Sequence, residues 1–97
     1  MTFIKLGSVR AFPNAKPDKA QALKVFEEAA EVFGAWQLMR DTTDAGLNSK
    51  HEMADLMDEI ADTIQACCNL AAALGATDLT PYLARCEERN RERGRYE

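Results

Sequence analysis

Two stretches of this chain, 17–41 and 50–74, repeat apolar side chains at helical spacing, and one polar tract parts them. That pattern commits most of the chain to a helical hairpin. Pro17 suits the first position of a helix, and Asp18 puts a negative charge at its positive end. Ala20, Leu23, Phe26, Ala30 and Phe33 are expected to face a core. Ala22, Val25, Ala29, Val32, Trp36 and Met39 form a second apolar strip beside them. So much apolar surface on one helix predicts burial on two sides, one in its own bundle and one against a second subunit. Residues 42–49 read as a loop, with Asn48 or Ser49 as the next cap. The second helix is expected over Lys50–Leu74, with Gly75 as its stop. Its expected core strip is Met53, Leu56, Met57, Ile60, Ile64, Cys67, Ala71 and Leu74. The short loop favours antiparallel neighbours. Thr80-Pro81 restarts a helix that runs to about Arg93 and ends at Gly94.

The chain is therefore expected to be all-α, a small antiparallel helical bundle of three main helices in a single domain over 1–97. Residues 1–16 form an irregular N-terminal segment whose apolar residues, Phe3, Ile4, Leu6, Val9 and Phe12, pack on a neighbouring surface, a partner subunit among the candidates. A net charge of −4 argues against general nucleic-acid binding. No long apolar run suggests a signal peptide or membrane span. Cys67, Cys68 and Cys86 are odd in number and lack a CxxC, which suits reduced thiols and a cytoplasmic setting. Cys67 and Cys68 are expected to be small buried side chains, and His51 an ordinary surface histidine.

Acidic residues give the two helices their chemistry. Glu28 and Glu31 lie three residues apart, as do Glu59 and Asp62, and side chains at that spacing share a helix face. If the helices pack side by side, four carboxylates converge. Lys24 lies where it can pair with Glu27 or Glu28. No lysine or arginine stands one turn from Glu31, Glu59 or Asp62. Charges at the rim of a core need compensation, and a hard cation held by carboxylates supplies it. Asn69 continues the line from Glu59 through Asp62 along the second helix. Between Arg85 and Arg95 there are five arginines against three glutamates, a tail suited to phosphate on a small ligand.

Glu28-x-x-Glu31, 27 intervening residues and then Glu59-x-x-Asp62 resemble the MazG-like all-α nucleoside triphosphate pyrophosphohydrolases and their relatives, the dimeric dUTPases and phosphoribosyl-ATP pyrophosphohydrolases. Asn-Leu-Ala-Ala-Ala-Leu-Gly at 69–75 and Arg-Asn-Arg-Glu-Arg-Gly-Arg at 89–95 are similar too, so the resemblance covers about 17–95. It implies that the four acids bind Mg²⁺, with Mn²⁺ as a substitute. It also implies that a water attacks phosphorus, releasing a nucleoside monophosphate and pyrophosphate. Glu31 is the candidate general base. By the same resemblance Asn90 and Arg93, with Arg89 nearby, contact phosphates. Many relatives have a lysine where this chain has Arg89, and phosphate binding survives that exchange. A homodimer or homotetramer is expected. Asn69 is a further candidate for substrate contact, and Trp36 is weighed between a core or subunit-interface residue and a ring that stacks on a nucleobase. Phosphoribosyl-ATP is a competing substrate, and the reading from another class is a non-enzymatic helical interaction module whose acids merely solvate it.

Overall fold

A computed structural model describes residues 2–97. Three helices follow one another: α1 over Lys19–Asp44, α2 over Lys50–Ala73 and α3 over Thr80–Glu92. No strand occurs among the described residues, so the expected all-α class holds.

Local chemistry fixes the helix ends. The Asp18 carboxylate accepts the Gln21 N–H at 3.0 Å, so Asp18 is the N-cap of α1 rather than a first-turn residue. Ser49 occupies the N-cap position of α2, but its side chain caps nothing. Its hydroxyl instead pairs with that of Thr43 at 2.8 Å, and Asn48 accepts the Lys50 N–H. Leu79, not Thr80, is the N-cap of α3. Asp78 accepts the Thr80 N–H, which holds the Asp78 carboxyl below its usual range, the Thr80 side chain being the larger cause. α1 runs past the expected Asp41 to Asp44.

α2 ends in a Schellman turn. Ala76 N–H donates to the Ala71 carbonyl and Gly75 N–H to that of Ala72. Gly75 sits at φ +93°, with nothing within 4 Å of where a Cβ would stand. Gly75→Ala is thus expected to cost only the backbone term for a left-handed L-residue, about 1–2 kcal/mol, measurable as a lowered urea midpoint at unchanged m-value.

Only α1 and α2 pack directly on each other. Their contact strips are drawn from the covered positions of each helix. On α1 these are Gln21, Val25, Glu28, Val32, Ala35, Met39 and Thr42. On α2 the matching strip is Glu52, Leu56, Glu59, Thr63, Ala66, Leu70 and Ala73. Both alternate steps of four and three, the mean spacing of 3.5 that keeps a seam on one side of a helix. The pair is an antiparallel coiled-coil hairpin whose seam carries carboxylates beside aliphatic groups.

This seam differs from the expected one. The α1 strip Ala20, Leu23, Phe26, Ala30 and Phe33 is exposed throughout, and α1 meets α2 through Val25, Val32 and Met39 of the second strip. On α2, Met53, Met57, Ile60, Cys67 and Leu74 are exposed, and of the expected core only Leu56 is buried. Cys67 therefore lies on the surface, while Cys68 is half-buried. Alanines 35, 66 and 73 lie on the contact strip among larger residues, whereas Phe26, Phe33 and Met57 stand on the outer faces.

The hairpin leaves a large surface uncovered. Leu56 and Ala66 are the only buried apolar residues among those described, and the chain exposes 7858 Å². A compact monomer of this mass would expose about 5,500 Å². Its radius of gyration is 16.1 Å, against about 12.5 Å for a compact chain of this length. Part of the cause is α3, which lies off the hairpin. A cavity of about 620 Å³ separates it from α2, walled by Leu6, Val9, Ile64, Cys68 and Leu83 among others. The N-terminal segment is tied to its own chain: Gln65 donates to the Arg10 carbonyl and Phe12 N–H donates to Asn69, each at 2.9 Å. No helix among the described residues is long and apolar enough to cross a membrane.

Candidate metal centre

The antiparallel seam brings Glu28 of α1 against Glu59 and Asp62 of α2. Each of the three offers an oxygen, and these oxygens all lie within 4.8 Å of one another. Glu28 and Glu59 are half-buried and Asp62 is exposed, so the cluster opens at the edge of the hairpin. The Oε2 of Glu59 is buried without any hydrogen-bond donor. A carboxylate oxygen removed from water with no donor is costly, and two further carboxylates lie beside this residue.

The electrostatics follow from that crowding. The Glu28 carboxyl is pushed above its usual range, first by burial, then by the charge of Glu31 and a hydrogen bond with it, with Asp62 adding. Lys24 opposes the rise from 3.7 Å. Its ammonium also meets Glu27 at 3.4 Å, so the lysine serves both of its expected partners. Lys24 is held above its ordinary value chiefly by the hydrogen bond and charge of Glu27.

The sign of the pH effect follows directly. Unfolded, the Glu28 carboxyl ionises near 4.5; folded, it ionises higher. In that window the folded chain holds the extra proton, so its stability falls as pH rises and returns on acidification. In metal-free buffer Glu28→Gln is expected to flatten the fall in melting temperature on raising the pH from 4.5. Thermal melts across that range check it, and an unchanged slope would assign the effect elsewhere.

Glu31, expected as the fourth ligand, lies outside the group of three oxygens. It is exposed one turn beyond Glu28. Glu52 was not anticipated from the sequence. Its Oε2 is also buried without a donor. It stands one heptad, two helical turns, before Glu59 on the same strip, and that spacing of seven was the available signal.

The remaining candidates are dispersed. Asn69 is only 4% exposed, and its Oδ1 accepts from Phe12 N–H and from Gln65 Nε2, each at 2.9 Å. Trp36 is partly exposed on the outer face of α1, its ring 6.1 Å from that of Phe33. Asn90 donates to the Cys86 sulfur at 3.6 Å. Arg89, Asn90 and Arg93 lie on or just past α3, which does not pack on α1 or α2, so a single chain does not bring them into the hairpin seam. His51 is exposed, as expected, with Asp55 at 3.5 Å. Comparison with family models, curated proteins and solved structures finds no match to this chain, so the site stands on its own geometry.

Proposed function

We propose that the chain is a magnesium-dependent pyrophosphohydrolase that cleaves a (deoxy)nucleoside triphosphate to the monophosphate and pyrophosphate. The observation that supports it most is the convergence of oxygens from Glu28, Glu59 and Asp62, in a group one of whose members, Glu59, also has an Oε2 buried without a donor. An all-oxygen set suits a hard cation, with Mg²⁺ preferred and Mn²⁺ a substitute. These three residues would hold it, and when bound it neutralises phosphate charge and lowers the pKa of a water.

The chain's own residues divide the other tasks. Glu31 is exposed, outside the cluster and beside Glu28, and we assign its carboxylate the proton of an attacking water. Arg89 and Arg93, with Asn90, offer donors to phosphate oxygens. Arg91 is not among them, because it pairs with Glu87 and Glu88. Trp36 offers a partly open ring for a base or a partner chain. The active unit is a homodimer or homotetramer, supported by the uncovered apolar faces of α1 and α2.

A panel of triphosphates incubated with Mg²⁺ tests the activity directly. Pyrophosphate is expected from at least one of them, and none from folded protein sinks the reading. The competing reading, an interaction module without catalysis, draws on the same exposed faces. Calorimetric titration with Mg²⁺ separates the two, because a module shows no specific uptake.

A further inference from the structure

One residue beyond each seam position of α2 runs a second strip, from Met53 to Leu74, that repeats the seam's steps of four and three. One residue is a rotation of about 100°. The two helices are antiparallel, so the same step on α1, to Phe26, Phe33 and Trp36, turns toward the same side of the hairpin. Both strips therefore share one face, on which Met57 is 50% exposed and Phe26 74%. Asp62, one residue before Thr63 of the seam, turns toward the opposite side, so the acidic cluster opens away from this face.

We propose that this face binds a second copy of the chain, with the two α2 helices antiparallel about a two-fold axis near Ile64, so that Met57 of one copy meets Ala71 of the other. The pairing specifies the assembly taken above as the active unit, and it does not need the activity assigned there.

The α2 strip is graded in size. Met53, Met57 and Ile60 make its first half bulky, whereas Cys67 and Ala71 make its second half small. A parallel copy would set bulk on bulk. An antiparallel copy sets large against small at each level, the condition for interdigitation. Met53 then ends beside the Gly75 turn, where nothing stands within 4 Å of the missing Cβ. The small half also opens into the cavity of about 620 Å³ between α2 and α3: Ile64 and Ala71 belong to both, and Leu79 and Leu83 of α3 form the far wall. The methionines of the second copy fill that space. α3, which packs on neither α1 nor α2, thereby gains an apolar surface to close on.

Charge and area both favour a second copy as the occupant. No position of the α2 strip carries a charge, so a chain with a net charge of −4 meets itself there without repulsion. The chain exposes about 2,300 Å² more than a compact monomer of its mass. Obligate homodimer interfaces remove about 1,000–2,500 Å² per copy, so one such contact accounts for the excess.

The test is sedimentation of the full chain over a range of concentrations, without nucleotide or metal. The wild type is expected to dimerise. Met57→Ala leaves a void and Ala71→Met overfills the contact; each acts twice in a two-fold pair and is expected to weaken dimerisation by about tenfold or more. The double variant M57A/A71M restores the exchange of sizes and is expected to return to within about threefold of wild type, a coupling that only residues in contact show. Leu23→Ala, exposed on α1 but off this face, is expected to change nothing. Cys67 keeps the test decisive if Ala71→Met does not fold. It is exposed in the single chain and lies on the strip, so its alkylation by iodoacetamide, followed by peptide mapping, is expected to slow as the wild type dimerises. A wild-type monomer at every concentration, losses that simply add in the double variant, or a Cys67 equally reactive in monomer and dimer overturns the pairing. Assembly is measured without catalysis, so its failure is distinct from failure of pyrophosphate release.

Discussion

Glu59→Gln is expected to leave the hairpin folded and to reduce metal-dependent pyrophosphate release by at least about a hundredfold, beyond what loss of a residue behind a metal ligand costs. The substitution keeps the side-chain shape. It removes the charge of the carboxylate whose Oε2 is buried without a donor. The same change relieves repulsion with Glu28 and Asp62 in the metal-free chain, so melting in EDTA is expected to rise or stay level while added Mg²⁺ no longer shifts it. Steady-state pyrophosphate assays and melts with and without Mg²⁺ measure both effects. Full activity with a retained Mg²⁺ shift would remove the cluster from the chemistry.

The second large effect concerns association. Phe33 is 65% exposed and Phe26 74%, and both belong to an α1 face that no element of this chain covers. Phe33→Asp is expected to shift the chain from a homo-oligomer toward monomer, with a loss in association of about a hundredfold, since burying one phenylalanine contributes about 1.5–3 kcal/mol. Sedimentation at micromolar concentration reads it directly. A wild-type chain that sediments as a stable monomer would overturn the proposed assembly.

These two predictions use opposite sides of the same helices, and that division was only half legible in the sequence. Helical periodicity, Gly75 and Thr80-Pro81 marked three helices, with ends that moved by a few residues as capping was resolved. The convergence of Glu28 with Glu59 and Asp62 was legible in part, because i,i+3 spacing puts each pair near one helix face, but Glu31, expected with them, lies outside the group. The identity of the seam was not. Hydrophobicity ranks Phe26 and Phe33 above Val32 and Ala35, yet the strip that carries Val32 and Ala35 meets α2. Apolar pattern records that a face is to be covered, not which surface covers it. From the sequence Asn69 stands in line with Glu59 and Asp62 as a candidate for substrate contact. Its oxygen is taken by the N-terminal segment, a contact across 57 positions of sequence that local spacing cannot reveal. Glu52 was overlooked because an isolated acid in a first helical turn reads as a charge complementing the helix end.

The heptad-like strip on α2 has a further consequence for alignment. Glu52 and Glu59 occupy equivalent places seven residues apart, so a slide of one repeat, about 10 Å, would set Glu28 opposite the Glu52–Asp55 stretch. The sliding coordinate thus contains a decoy pairing of the same charge pattern. The connection over 45–49 excludes it: Leu47 N–H is fastened to the Thr42 carbonyl and the Thr43 hydroxyl to that of Ser49. Loop length therefore acts as the ruler that selects which acids meet.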